Sequence, residues 1–151
     1  MTKISIENND SPRVFVDTNV IIDALTKRDY NSNPSVVFLR YVISGNLKGY
    51  ICLKQITDIY YILKKYCLNE MDRRSKIKLI IDTFETLPLF YGDLLATMKT
   101  EMNDFEDAIL DEVARVNVIP YFVTNNIDDF QNSKSMVLTP EQFITLFQLD
   151  K

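Results

Sequence analysis

The sequence predicts an α/β domain in which a central, mostly parallel sheet of four to five strands is flanked by helices. Short apolar runs typical of strands alternate along the chain with segments whose apolar residues recur at helical spacing. The 151 residues include only three glycines and show no repeat or linker, which suits one hydrophobic core. We therefore expect a polar N-terminal tail over residues 1–12 and a single domain over residues 13–151.

The first half of the chain begins with an apolar strand that has no polar alternation, so both of its faces should be buried. After the first helix, a polar segment ends in Ser32 or Asn33 as a helix cap, with Pro34 at the first helical position. The predicted elements are strands at 13–16 and 49–52 and helices at 18–25, 36–44, 54–66 and 70–84. The last of these helices should direct Ile77, Ile80, Ile81 and Phe84 toward the core.

The second half of the chain starts with a weaker strand, at 86–90, in which Pro88 cannot donate to a ladder and so favours an edge position. Helices are predicted at 93–98 and 105–117, strands at 121–123 and 135–138. Thr139, Pro140 and Glu141 open a last helix that ends near Leu149. The helix at 105–117 carries the apolar stripe Phe105, Ala108, Ile109, Val113 and Val116.

Composition excludes several classes of protein. With a net charge of −4 and a pI of about 4.8, the chain is not a generic basic nucleic-acid binder. The absence of histidine excludes serine–histidine triads and histidine metal ligands. No apolar run is long enough to span a membrane, and the first dozen residues do not resemble a signal peptide, so a cytoplasmic location is expected.

Acidic residues recur where strands are predicted to end and on helix flanks. Asp17 and Thr124 each follow an apolar strand, so both should lie at the carboxyl edge of the sheet. Asp104, Asp107 and Asp111 share one helical face. Two carboxylates about 4 Å apart repel by roughly 4 kcal/mol at an effective dielectric near 20. A divalent cation would offset that repulsion, although Asp17 as a turn residue and Asp104 as a helix cap are simpler interpretations.

Four segments in order resemble the PIN domain, and most of all the branch that includes bacterial VapC-type toxins. The resemblance extends from residue 13 to about residue 147 and implies a three-layer fold of the PIN type. The matching segments are 14–23 (VFVDTNVIID), 57–65 (TDIYYILKK), 104–108 (DFEDA) and 123–130 (VTNNIDDF).

The resemblance implies a ribonuclease that uses Mg²⁺ or Mn²⁺ and acts on RNA phosphodiester bonds. It assigns Asp17, Asp58 and Asp107 as catalytic residues. The metal ligands implied are these three with Asp104, Asn126 and Asp129, and the substrate-binding positions are Thr18, Asn19, Thr124 and Asn125. Two positions depart from the family pattern, because Asp58 replaces the usual Glu and Asn125 replaces a common Arg.

The resemblance also implies an antitoxin partner and a homodimer. Two hypotheses compete with the ribonuclease: a PIN-like domain that binds or scaffolds without turnover, and a haloacid-dehalogenase-like phosphotransferase. The second normally needs another Asp two residues after the first, where this chain has Asn19. For an RNA backbone path, the best candidate is a basic stretch formed by Lys64, Lys65, Arg73, Arg74, Lys76 and Lys78.

Overall fold

The computed structural model of the protein describes residues 11–26, 32–67, 69–147 and 149. The predicted N-terminal tail therefore lies almost entirely outside the described residues. The strands are β1 (Arg13–Val16), β2 (Lys48–Cys52), β3 (Glu85–Leu87), β4 (Tyr121–Val123) and β5 (Met136–Leu138). The helices are α1 (Thr18–Thr26), α2 (Pro34–Ile43), α3 (Leu53–Leu63), α4 (Glu70–Thr83), α5 (Tyr91–Thr97), α6 (Phe105–Val116) and α7 (Pro140–Phe147), with a short 3-10 helix at Ile127–Phe130.

The five strands form one sheet in the order β3-β2-β1-β4-β5, and all four pairings are parallel. The predicted α/β class and parallel sheet are thus confirmed. The chain builds outward from β1 to β3 and then returns to add β4 on the other side of β1. That reversal opens a crevice outside the carboxyl ends of β1 and β4, which is where ligands bind in open α/β sheets.

The sheet separates two hydrophobic cores because successive residues of β1 point to opposite faces. Val14 and Val16 pack with α1 to α4 and α7, whereas Phe15 packs with α6 and the 3-10 helix. Val14, Phe15 and Val16 are fully buried, as expected for a strand covered on both faces. Helices on both sides of the sheet give the expected three layers.

Helix boundaries follow the predicted caps closely. The Asn33 side chain accepts from the backbone N–H groups of Ser35 and Val36, and Gly45 takes a φ of +84° just after α2. The strand β3 lies at one edge of the sheet and stops immediately before Pro88. Pro88 therefore lies just beyond the strand, where its missing N–H removes no hydrogen bond from the sheet.

Three residues that were predicted to face the core are exposed instead. Ile81, Phe105 and Val116 each have about half of their surface in solvent. In α4 only Ile80 is fully buried, because that helix contacts the rest of the domain along a narrow line. In the described part of the chain, no helix has the length and apolar character needed to cross a membrane.

Candidate active site

The carboxylate at the end of β1 is held by a hydroxyl at the end of the neighbouring strand. Thr124 Oγ1 donates a 2.8 Å hydrogen bond to Asp17 Oδ2, and both residues are buried. The backbone repeats the link, because the Asp17 N–H donates to the Val123 carbonyl at 2.9 Å. Burial raises the pKa of Asp17, while the Thr124 hydrogen bond opposes that rise. Asp17 is therefore a positioned carboxylate in a partly desolvated site.

Asn19 ties the loop after β1 to the loop after β4. Its Nδ2 donates to Thr124 Oγ1 at 3.4 Å, and its Oδ1 accepts from the Asn125 backbone N–H at 3.1 Å. The Asn126 N–H also donates to Thr124 Oγ1, at 3.1 Å. Thr124 is thus the centre of a small polar network that orders both loops.

Gln55, in the first turn of α3, fastens that helix to the end of β1. The side chain is fully buried, and its Nε2 donates to the Val16 carbonyl at 2.9 Å and to Thr18 Oγ1 at 3.2 Å. Its Oε1 accepts from the Cys52 N–H at 2.7 Å, which caps the helix. The residue positions the backbone on either side of Asp17, and sequence analysis did not identify it.

The amino end of α6 adds further negative charge. Asp104 is the N-cap, and its Oδ1 accepts from the Asp107 N–H at 2.9 Å, as the simpler interpretation expected. Partial burial, followed by the charges of Asp17, Asp104, Asp129 and Glu106, raises the pKa of Asp107 to about 7. Asp104 and Asp129 also act to raise the pKa of Asp17. These four aspartates therefore form one electrostatic group, which we call the acidic edge: Asp17, Asp104, Asp107 and Asp129.

Two clefts meet at the acidic edge, and both are lined by Asp17, Thr18 and Asp107. The first has a volume of about 240 Å³ and extends along α3. It is also lined by Lys54, Gln55, Asp58, Tyr61, Ile62, Glu106 and Leu110. The second, of about 490 Å³, runs over α1 and past Asn19, Asn125 and Asn126. An extended ligand could therefore pass the two carboxylates on either side.

Asp58 lies in the first cleft but is paired with a cation. Its Oδ2 accepts from Lys54 Nζ at 2.6 Å, and Lys54 also lies 3.8 Å from Glu106 Oε1. Asp58 is not among the main charges acting on Asp17 or Asp107. Asp58 thus lies at the border of the acidic edge. Its side chain is one methylene shorter than that of Glu and therefore reaches less far toward the other carboxylates.

Asp111 lies outside this group even though it shares a helical face with Asp107. It is buried, and Ser133 Oγ donates a hydrogen bond to its Oδ1. Burial raises the pKa of Asp111, and the Ser133 hydrogen bond opposes the rise. Its role is to fasten the loop before β5 to α6.

The acidic edge has the donor chemistry of a site for a hard divalent cation, because Asp17 and Asp107 line the same clefts and the neighbouring carboxylates repel one another. The side chains are not arranged as a closed coordination group. In the described ranges, no three His, Cys, Asp or Glu side chains are grouped so that they could hold a metal ion. The residues present fit such an ion in kind, and ligation would require side-chain rotation.

Three of the six residues of the predicted basic stretch are paired with acidic neighbours. Arg73 and Arg74 both contact Glu70 at 3.0 Å, and Lys78 contacts Asp82 at 2.6 Å. Lys54, which sequence analysis did not select, is the one cation lining either cleft within the described residues. The i,i+4 spacing of Lys54 and Asp58 was the signal that could have identified it.

Comparison with known proteins gives a match to a sequence family and matches to curated relatives. The profile of the PIN domain family matches residues 13–128. The chain is 27% identical over 139 residues to Ribonuclease VapC1 of Aquifex aeolicus (strain VF5), covering 89% of this chain and 94% of the relative. The match therefore spans nearly the whole of both proteins.

Solved structures with the same fold include two toxin–antitoxin assemblies. A chain from the toxin-antitoxin complex of Klebsiella pneumoniae superposes with a TM-score of 0.61 at 20% identity, covering 84% of this chain and 97% of the other. A chain from VapBC2 of Rickettsia felis, bound to a DNA fragment from its promoter, gives 0.59 at 17% identity, covering 83% and 97%. The sequence profile spans most of the chain and the folds agree, so this protein belongs to the PIN domain family.

Proposed function

We propose that this protein is a metal-dependent ribonuclease that hydrolyses RNA phosphodiester bonds at the acidic edge. The observation that carries the proposal is that Asp17 and Asp107 line the same two clefts and interact electrostatically with Asp104 and Asp129. Burial, and then the charges of the neighbouring carboxylates, raise the pKa of Asp107 to about 7, and a bound cation would relieve that repulsion. Family membership and similarity to a protein named as a ribonuclease support the same activity.

The residues divide into roles by their position. Asp17 and Asp107 are the principal ligands for Mg²⁺ or Mn²⁺, since they line both clefts. Asp58, Asp104, Asn126 and Asp129 are outer or second-ion ligands. Thr124 and Asn19 hold Asp17 and the loops in place, while Thr18 and Asn125 face the substrate.

The chemistry is the hydrolysis of a phosphodiester. A bound ion would lower the pKa of the attacking water and offset charge on the phosphate oxygens. The water oxygen forms a bond to phosphorus as one ester P–O bond breaks, and the proton that the water loses is balanced by the one that the departing oxygen gains. The carboxylates of the acidic edge orient the reacting groups, and the buried Asp17 is preorganised for this by its hydrogen bond from Thr124.

The test is RNA cleavage by the purified chain. Structured and unstructured RNAs are incubated with Mn²⁺ or with chelator, using wild type, Asp107→Asn and Asp128→Asn. Asp128 is an exposed aspartate beside Asp129 and provides the matched control. We expect Mn²⁺-dependent cleavage that Asp107→Asn lowers by about 10²-fold or more, with Asp128→Asn close to wild type.

Two results would contradict the proposal. Equal cleavage in chelator and in excess Mn²⁺ would remove the metal dependence. A folded wild-type chain that binds RNA without cleaving it would favour the alternative, a PIN-like binding or scaffold domain. The phosphotransferase hypothesis loses its basis in the fold, since the chain belongs to a different family and Asn19 is occupied in joining two loops.

We further propose that the protein is the toxin of a toxin–antitoxin pair. The support is the fold shared with chains of two such assemblies. An antitoxin partner, and a homodimer as the active form, are the corresponding expectations. Exposed aromatic residues on α3 and α5, such as Tyr61 and Tyr91, offer contact area for either partner.

A further inference from the structure

We propose that Lys54 binds a phosphate of the RNA substrate in the cleft that it shares with Asp17, Asp58 and Asp107. This inference rests on the proposed ribonuclease function and names a residue that holds its substrate. Lys54 lines the first cleft together with those three aspartates. Within the described residues, it is the only positive side chain that lines either cleft.

The Lys54 side chain is drawn inward, unlike an ordinary surface lysine. A second pair in this chain has the same spacing and the same 2.6 Å separation, namely Lys78 and Asp82 on α4. The Lys78 side chain is 76% exposed, whereas that of Lys54 is only 24% exposed. The protein therefore holds the Lys54 ammonium at the cleft instead of leaving it in solvent.

The location of Lys54 is unfavourable for the helix itself. Lys54 is in the first turn of α3, where the positive end of the helix dipole disfavours a cation. Four other α-helices have acidic residues in the first turn, whereas α1, α2 and α3 have none. The helix dipole therefore gives no reason for a cation at this place.

Lys54 has donor capacity left after its contacts in the protein are counted. An ammonium group has three N–H donors. One is used by Asp58 at 2.6 Å, and a second points toward Glu106 at the longer distance of 3.8 Å. A phosphate oxygen can accept the third without breaking the pair with Asp58. This gives the first cleft a positive contact, whereas the second cleft, which passes Asn125, has none among the described residues.

The experiment measures RNA binding separately from cleavage. Every variant carries Asp107→Asn to block turnover, and the affinity for a fluorescein-labelled single-stranded RNA is measured by anisotropy over a range of KCl concentrations. We expect Lys54→Met and Lys54→Gln to weaken binding about fivefold and to reduce the slope of log affinity against log salt by about 0.7, the value for one phosphate contact. Lys54→Arg should retain both affinity and slope. Lys48→Met is the control and should leave both unchanged, because Lys48 is an exposed lysine that pairs with Glu85 at the amino end of β2, away from both clefts.

A merely structural lysine would behave differently. If Lys54 acts only by positioning Asp58, then in an Asp58→Asn background its replacement has no further effect on the salt slope. That result, or unchanged affinity and slope in Lys54→Met and Lys54→Gln, would overturn the inference, as would a failure of all variants to bind RNA. Circular dichroism confirms that each variant is folded, and Lys54→Gln retains a hydrogen-bond donor if Lys54→Met does not fold. Wild-type cleavage tests the proposed function independently of this binding result.

Discussion

Two acidic groups in this protein are shifted in opposite directions. At the acidic edge, burial and neighbouring carboxylates raise the pKa of Asp107 to about 7. On the outer side of α3 and α4, the pKa of Glu70 is lowered to about 2, because Tyr60, Arg73 and Arg74 all donate hydrogen bonds to it. One region gathers like charges with little compensation, and the other surrounds a single carboxylate with donors.

The contrast separates a functional surface from a structural one. The carboxylate with three donors is in its most favourable state in the protein alone. Asp17 and Asp107 are not, since the pKa of each is raised, and a bound cation would favour their charged forms. Charge that the fold leaves uncompensated therefore identifies the site more clearly than the number of acidic residues does, since both regions contain several.

The largest effect is expected from the glutamine behind the acidic edge. Gln55 and Gln142 have the same capping position, each accepting from the N-cap backbone N–H of its helix. Gln55 is fully buried and also donates to Val16, whereas Gln142 is exposed. Gln55→Ala leaves buried backbone groups unpaired and should lower the free energy of unfolding by about 3 kcal/mol, against about 1 kcal/mol for Gln142→Ala.

Urea denaturation of the two variants measures this difference. Gln55→Ala should also lower RNA cleavage at temperatures where the protein remains folded, because Val16 and Thr18 on either side of Asp17 lose their tether. Equal destabilisation by the two substitutions would show that the buried hydrogen bonds of Gln55 contribute nothing beyond the cap.

Replacing each shifted carboxylate by the corresponding amide should change the stability of the protein less. The two changes should have opposite signs. In metal-free protein, folding disfavours the ionised form of Asp107. The resulting loss of stability is absent below the pKa of Asp107 in the unfolded chain and complete above about pH 7. Asp107→Asn should therefore stabilise the protein at pH 8 in chelator, by about 1 kcal/mol after allowance for solvent screening. Glu70→Gln should destabilise it at the same pH.

Thermal denaturation at pH 8 and pH 4, with and without Mn²⁺, distinguishes the two behaviours. The gain from Asp107→Asn should disappear at pH 4, and it should reverse in excess Mn²⁺, which stabilises only a chain that can bind it. A destabilised Asp107→Asn variant at pH 8 in chelator would mean that the acidic edge is not under electrostatic strain.

The smallest effect concerns Glu70 alone and is best observed by NMR. The Glu70 carboxyl should titrate near pH 2 instead of near 4.5, and Tyr60→Phe should raise that pKa by removing its largest cause. Stability contributed by Glu70 should be present above about pH 4.5 and lost as the pH falls toward 2. A Glu70 pKa that Tyr60→Phe leaves unchanged would assign the shift to the two arginines.

Much of the fold could be predicted because its signals are local. The apolar run of β1, the cap at Asn33 and the edge position indicated by Pro88 each depend on a few adjacent residues, whereas the strand predicted at 86–90 in fact ends at Leu87. The inward assignment of Ile81, Phe105 and Val116 was wrong, because helical spacing shows which residues share a face but not how wide a face the neighbours cover. That width is a property of tertiary packing.

The candidate site could be predicted only in part, for a similar reason. The ends of β1 and β4 placed Asp17 and Thr124 together, and the structure adds the direct hydrogen bond between them. Gln55 and Lys54 are polar residues in a first helical turn, and the local sequence predicts that both face solvent. Their burial comes from the crossing of α3 over the end of β1, which no short stretch of sequence encodes. The metal and RNA roles stay predictions.

The outermost strands of the sheet, β3 and β5, have only three residues each. Such short borders expose few free backbone N–H and C=O groups, so they are poor templates for adding a strand from another polypeptide. Any lasting association of this protein should therefore proceed through side chains on its helices, and intermolecular sheet growth should contribute little to its aggregation.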